Sequence, residues 1–285
     1  MSDSKPSSAA NIAQIDYWNA AAGTTWANFH DQLDRQVGPL GGEALRALAL
    51  DAGARVLDIG CGCGQTTIDI AIRVGGRGLA CGIDISEPML VVARNRTIPQ
   101  GAGAVEFRRL DAQIAALDPA RFDAVFSRFG VMFFSDSAAA FANIRTALVA
   151  RGRLSFVCWR SLAENPWMRE PMEAVTHYLP PLLPPNPLAP GPFAFADGAR
   201  VRNTLIDAGF ANIEVRAYDT CIGAGSLDET LQLALRIGPL GTALRETPEL
   251  TAQVTGPVRS VLERYVTPTG VLMPAAVWIV TATAN

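Results

Sequence analysis

The chain has 285 residues, 49% apolar and 18% charged, with a formal net charge of −3. That allows one elaborated α/β domain or two small ones of ordinary globular composition. It argues against nucleic acid as the main partner, which needs clustered positive charge, and no apolar run reaches the roughly 20 residues of a membrane span.

Residues 1–10 read as a disordered tail, and 12–50 as helical, with Tyr17, Trp18, Trp26 and Phe29 concentrated there. Residues 55–59 read as a short buried strand, apolar at Val56, Leu57 and Ile59. Gly60, Gly62 and Gly64 then alternate with Cys61 and Cys63, and an apolar run over 66–74 looks helical. Strand, glycine turn and helix make the first half of a βαβ nucleotide-binding unit. A second strand over 79–83 delivers Asp84, 24 positions after Gly60, about where a carboxylate meets a ribose diol. Two features depart from a dinucleotide fingerprint. Asp58 precedes the first glycine, and the spacing is G-x-G-x-G, not G-x-G-x-x-G. A ligand without phosphate needs no aligned helix N-terminus, and Asp58 suits a cation better than an anion.

Ser86 is placed to cap a helix over 88–96, and 97–103 is a loop. Strands are expected over 105–110, ending at Asp111, and over 122–127, followed by an apolar segment at 129–134. A helix over 136–148 stops at Arg151-Gly152 and leads to a strand over 154–159. This alternation argues for a parallel sheet with helices on both faces. Seven prolines between Pro180 and Pro192 then exclude a regular element. Just before them, Trp167, Met168, Met172, Val175, Tyr178 and Leu179 fit a helix with a core face, a lid over a pocket, or both. A helix over 197–209 and strands over 213–218 and 277–281 complete the core. Between them 227–265 is helical, broken at Gly238-Pro239, Pro248 and Gly256-Pro257. The expected division is lid helices (11–50), cofactor-binding core (51–160), proline-rich substrate cap (161–196), core (197–226), second cap (227–265) and closing strand (266–285).

Cys61, Cys63, Cys81, Cys158 and Cys221 are odd in number. Cys61-x-Cys63 could be half a metal site, but no second Cys/His pair stands at zinc spacing, and small residues fit a tight loop equally well. Free thiols and the lack of an apolar leader core give the expectation of a cytoplasmic protein.

Val56-Leu-Asp-Ile-Gly-Cys-Gly-Cys-Gly64, Gly82-Ile-Asp-Ile-Ser86 with Met89, Leu110-Asp-Ala112 and Phe122-Asp-Ala-Val125 resemble class I S-adenosylmethionine-dependent methyltransferases. The bacterial small-molecule branch with the ubiquinone/menaquinone-type enzymes is most similar. The resemblance covers residues 12–160 well and 197–219 in order only. It implies a Rossmann-like sheet of seven strands, the last antiparallel, with helical lid and cap inserts and S-adenosyl-L-methionine over the strand ends. By position it implies that Asp58, Gly60, Cys61 and Gly62 hold the methionine end of the cofactor. Asp84 would take the ribose hydroxyls, Ile85 and Met89 the adenine face, Asp111 its amino group and Ala112 its ring through a backbone N–H. Carboxylates suit an ammonium, a diol and an exocyclic amine by themselves, whereas a pyrophosphate would be repelled. Arg128 stands where relatives often have a small polar residue. Its backbone could hold the cofactor while its side chain binds the acceptor or pairs with Asp58, or it is a structural ion-pair arginine. Tyr17 and Trp26 fall where a lid helix crosses the cofactor, and equally read as core aromatics.

Methyl transfer from a sulfonium requires alignment and exclusion of water. A neutral nucleophile also needs a base, and His177 and His30 are the candidates, though a lone histidine is as readily structural. Trp159, Trp167, Met168, Met172, Tyr178, Phe193 and Phe195 would line an apolar, partly aromatic pocket. The expectation is methylation of a small hydrophobic or aromatic metabolite, on oxygen rather than carbon or nitrogen by frequency alone, yielding S-adenosyl-L-homocysteine. No metal is called for, and a monomer and a homodimer both remain open. The rivals are an NAD(P)-dependent oxidoreductase and an S-adenosylmethionine-binding protein that has lost catalysis.

Overall fold

The computed structural model describes residues 11–180, Asn186 and 189–285. The expected tail at 1–10 and the prolines at 181, 184, 185 and 187 lie outside the described residues. Three helices come first: α1 (Ile12–Asn19), α2 (Ala21–Asn28) and α3 (His30–Leu48). On α3, Leu33, Val37, Leu40, Ala44, Leu45 and Leu48 recur at three- and four-residue spacing and are buried. That stripe lays the helix along the sheet.

The core then alternates as expected: β1 (Arg55–Ile59), α4 (Gln65–Val74), β2 (Leu79–Asp84), α5 (Glu87–Arg94), β3 (Ala104–Arg109) and β4 (Phe122–Arg128). A 3-10 turn, Val131–Phe133, precedes α6 (Ser137–Ala147) and β5 (Leu148–Trp159). The chain continues through α7 (Pro166–Glu173), α8 (Gly198–Asp207) and β6 (Phe210–Ile222). Next come α9 (Leu227–Ala234), α10 (Gly238–Glu246), α11 (Thr251–Glu263), the short pair β7 (Val266–Thr267) and β8 (Gly270–Val271), and β9 (Met273–Ala284). The large sheet has the order β3-β2-β1-β4-β5-β9-β6. Only β9 runs antiparallel, against both β5 and β6. Strand order reverses at β1, where ligands of open α/β sheets bind.

Some boundaries differ from the sequence reading. β5 begins at Leu148, because Arg151 takes a left-handed conformation (φ 62) and the expected stop becomes an irregularity inside the strand. β6 and β9 run longer than expected because they pair with each other along their length. α11 passes through Gly256-Pro257 without the expected break, carried by the buried Val254, Val258, Val261 and Leu262. Gly238-Pro239 opens a helix, with proline in the first turn where its missing N–H costs nothing. Ser86 stands at the N-cap of α5, yet its hydroxyl donates to Trp18 O (2.7 Å) and makes no cap bond.

One apolar cluster fills the sheet and its helices, with Phe126, Phe141, Phe156 and Phe195 among its fully buried members. A second joins Val175 and Leu179 to Leu231, Leu240, Leu244, Val254, Val258 and Met273 beside the sheet. Among the described residues no helix is long and apolar enough to cross a membrane.

Candidate active site

The last residues of β1, β2 and β4 (Ile59, Asp84 and Arg128) open onto one cavity of about 210 Å³, roofed by α1, α2 and α3. The glycine turn forms its floor. Gly60 has φ +66, and a Cβ there would lie 2.8 Å from Gly130 Cα, so the turn after β4 can press against it only because both residues are glycine. Four of the turn's amides are committed to the protein. Gly60 N and Cys61 N donate to Ile83 O (2.9 and 3.1 Å), Gly62 N to Asp84 Oδ2 (2.8 Å) and Gly64 N to Cys61 O (2.9 Å).

Asp84 is buried and also accepts from Ser86 N through Oδ1 (2.8 Å). Burial raises its pKa against the pull of those N–H groups. Each oxygen keeps a second lone pair for a ligand. Asp111 accepts from Asn11 Nδ2 (2.6 Å) and Gln113 N (2.9 Å) at the same wall. Asp58 does not line the cavity. It sits wholly buried behind the turn, where Thr66 and Thr67 of α4 donate to its Oδ2 (2.6 and 2.7 Å). Its Oδ1 has no partner among the described residues, and burial lifts its carboxyl to about 6.

Arg128 pairs with Asp34 (2.8 Å), not with Asp58, and Arg96 holds the other Asp34 oxygen (2.6 Å). Arg96 also donates to Gln65 Oε1 (2.8 Å), so α3, α4 and β4 meet in one charged knot. Nothing in the sequence marks Asp34 for this role, since its partners lie 62 and 94 residues away.

Tyr17, Trp26, His30, Gly60, Cys61, Gly62, Asp84, Ile85, Met89, Asp111, Ala112, Arg128, Trp159, Trp167 and Met168 all face the cavity. His177, Tyr178 and Phe193 do not. His177 is exposed and packs on the Tyr178 ring (centroids 3.9 Å apart). Phe193 packs on the main core, and Phe195 is fully inside it. Met172 joins the second cluster. His30 Nδ1 bonds Ala27 O (2.7 Å), and its Nε2 lies 3.3 Å from Asp31 Oδ1.

Four wall residues carry no strong mark in the sequence. Trp18 packs edge-on against Tyr17, Trp26 and Phe133, at 5.1–5.6 Å between centroids. Phe129 stacks on Trp159 (4.2 Å, 12°) from a left-handed backbone (φ 62), a strained conformation for a bulky residue. Asn11 and Gln36 complete the set. Among the described residues no group of three or more His, Cys, Asp or Glu could hold a metal ion, and burial pushes the Cys63 thiol up to about 12.

The residues fit a cationic sulfonium cofactor. A Cβ at Gly62 would meet only Met89 Sδ (3.7 Å), so the turn's backbone is open to close approach there; the carboxylates in the wall accept hydrogen bonds, and behind the turn Asp58 Oδ1 has no partner among the described residues. The sequence profile of the family described as "Methyltransferase domain" matches residues 56–152. Over that stretch, from β1 into β5, the chain is similar to a methyltransferase domain. Aklanonic acid methyltransferase DauC of Streptomyces sp. (strain C5) is 35% identical over 104 residues, which are 36% of this chain and 47% of that protein. The ubiquinone/menaquinone biosynthesis C-methyltransferase UbiE of Teredinibacter turnerae is 35% identical over 103 residues, 36% of this chain and 41% of that one. The chain thus spans less than half the length of these curated relatives. Among solved structures, phosphoethanolamine N-methyltransferase 2 of Haemonchus contortus, in complex with S-adenosyl-L-methionine, superposes with a TM-score of 0.59 at 19% identity. That match covers 95% of this chain and 59% of the other. The YcgJ protein of Bacillus subtilis gives 0.57 at 15% identity, covering 86% and 97%. The Rossmann-like fold is therefore shared. The family match stops short of Trp159, Trp167 and Met168.

Proposed function

We propose that this chain is an S-adenosyl-L-methionine-dependent methyltransferase acting on a small, mainly apolar or aromatic metabolite, with oxygen the favoured acceptor atom. The observation that carries this reading is the state of the glycine turn. Four of its amides are bound to backbone carbonyls and to Asp84, and carboxylates face the cavity beside them. A pyrophosphate would meet negative charge and few free donors, which argues against a nicotinamide oxidoreductase.

When bound, the cofactor supplies an electrophilic methyl group on a sulfonium, and the chain's residues align and enclose it. In this reading Asp84 accepts from the ribose hydroxyls and Asp111 from the adenine amino group, with Ile85 and Met89 on the ring faces and Ala112 at its edge. Gly60, Cys61 and Gly62 let the methionine end approach, and Asp58 is the negative charge behind it. Tyr17 and Trp26 cover the cofactor from the lid. Trp159, Trp167 and Met168 form the apolar wall for the acceptor and keep water away. Of the two histidines His30 is the one able to take a proton from the acceptor, since His177 is remote from the cavity wall.

Incubating the protein with S-adenosyl-L-methionine and a panel of phenols, quinols and heteroaromatics, with mass detection of methylated products, tests the reading. A product carrying one added methyl group supports it. Binding of NAD in place of S-adenosyl-L-methionine would overturn it.

A further inference from the structure

Gln36 stands on the apolar face of α3, one turn from Leu33 and Leu40, where burial calls for an apolar residue. Its side chain is 6% exposed and its Oε1 has no hydrogen-bond partner among the described residues. An amide oxygen left unsatisfied in such a place is costly, and its presence needs a physical reason. Gln36 lines the main cavity and also a smaller adjoining one of about 30 Å³. Trp167, Met168 and Ile237 are shared between the same two cavities. The wall where they meet is therefore apolar except for this one amide. It is set apart from the carboxylates at the strand ends, which already have work to do with the cofactor.

We infer that Gln36 is the polar anchor of the acceptor site, and that the acceptor carries a neutral hydrogen-bond donor, a hydroxyl or N–H group, on an otherwise apolar ring system. This rests on the methyltransferase reading and narrows its substrate class. A carboxylate or phosphate on the acceptor is disfavoured, because Gln36 offers no charge to balance it. A hydrocarbon lacking the donor is disfavoured too, because it would leave the Gln36 amide without a partner in the closed complex. Oxygen and nitrogen of the amide can exchange places by a flip, so Gln36 meets a hydroxyl as donor or as acceptor.

The test uses the full chain and the fluorescence of the tryptophans in the wall. 2-Naphthol and 2-methylnaphthalene, which differ in the hydroxyl, are titrated into the wild type and into Gln36→Leu. The wild type is expected to prefer 2-naphthol by about tenfold or more, and Gln36→Leu to lose that preference. Gln36→Leu is also expected to raise the thermal midpoint of the ligand-free protein by about 2–4 °C, since it removes an unsatisfied group. A preference that survives in Gln36→Leu would overturn the proposal, as would a wild type that fails to discriminate or binds neither compound. S-Adenosyl-L-methionine is titrated in parallel: no binding there defeats the methyltransferase reading, whereas the naphthol comparison is judged without cofactor and fails or stands separately.

Discussion

Asp58 carries an electrostatic cost that the fold retains. Its Oδ2 takes two threonine hydroxyls while Oδ1 has nothing, and burial lifts its pKa from 3.8 to about 6. Because the folded state holds the proton more tightly than the unfolded chain, the stabilisation is complete below about pH 4 and is lost as pH rises through 6. The loss is about 3 kcal/mol. Asp84 is shifted in the same direction by burial and adds to the trend. The expected result is a ligand-free protein whose urea midpoint falls between pH 4 and 6, and an Asp58→Asn variant with a flatter profile and a higher midpoint at pH 7. A cation in front of the turn favours the ionised form of Asp58 behind it, so cofactor affinity in the wild type should rise from pH 5 to 7, and less steeply in Asp58→Asn, where Asp84 still titrates. An identical pH profile in the two proteins would contradict the assignment. Gly60→Ala puts a methyl group 2.8 Å from Gly130 Cα at φ +66, and both the backbone and the neighbouring turn must yield. A loss of about 1–3 kcal/mol of stability is expected by denaturant titration, with cofactor affinity falling at least tenfold by calorimetry.

At the scale of elements, polar contacts fasten the lid alongside the apolar stripe of α3. Asn19 Nδ2 donates to Ile85 O (3.0 Å), Glu87 N donates to Asn19 Oδ1 (3.0 Å), and Ser86 donates to Trp18 O. On the other side Arg245 of α10 donates to Tyr17 (2.9 Å), and Arg35 of α3 pairs with Glu229 of α9 (2.8 Å). Asp34 is the internal latch, since it neutralises both Arg96 and Arg128 where those side chains are about 15% exposed. Asp34→Ala leaves two cations facing each other in a half-dry site, and about 2 kcal/mol of stability is expected to go. Salt should restore part of that loss in the variant and change the wild type little, as urea titrations at low and high salt would read. β1, α4 and β2 were legible from sequence almost to the residue, because the two buried parallel strands are short apolar runs and glycine separates β1 from the apolar helix that follows. β6 was not. It alternates half-buried and exposed residues at the sheet edge, and its ends, Phe210 to Asn212 and Asp219 to Ile222, take their extended form from pairing with β9. Pro257 misled for a related reason: tertiary burial of α11 outweighs one lost helix bond.

For the whole molecule, a sheet that delivers carboxylates at three strand ends is covered by helices from both termini of the chain. The strand-end side of the cavity was readable because its residues lie within the first 130 positions, most of them at a strand end or a few residues past one, with Tyr17 and Trp26 on the helices that precede the sheet. The opposite, apolar wall was readable only in part: Trp159, Trp167 and Met168 were expected there, whereas Gln36, Phe129 and Ile237 join them only in three dimensions. Aromatic content pointed to Tyr178 and Phe193 as well, but Phe193 packs on the main core and Tyr178 is exposed beside His177. In the proposed function this cavity binds a sulfonium cofactor through Asp84. Calorimetric titration of the wild type and of Asp84→Ala with S-adenosyl-L-methionine tests it most directly. Micromolar binding is expected, weakened by Asp84→Ala at least tenfold, about 1.4 kcal/mol, since the variant loses both the diol contact and the bond that fixes Gly62. No heat and no thermal shift with S-adenosyl-L-methionine or S-adenosyl-L-homocysteine, or equal affinity in the two proteins, would contradict it.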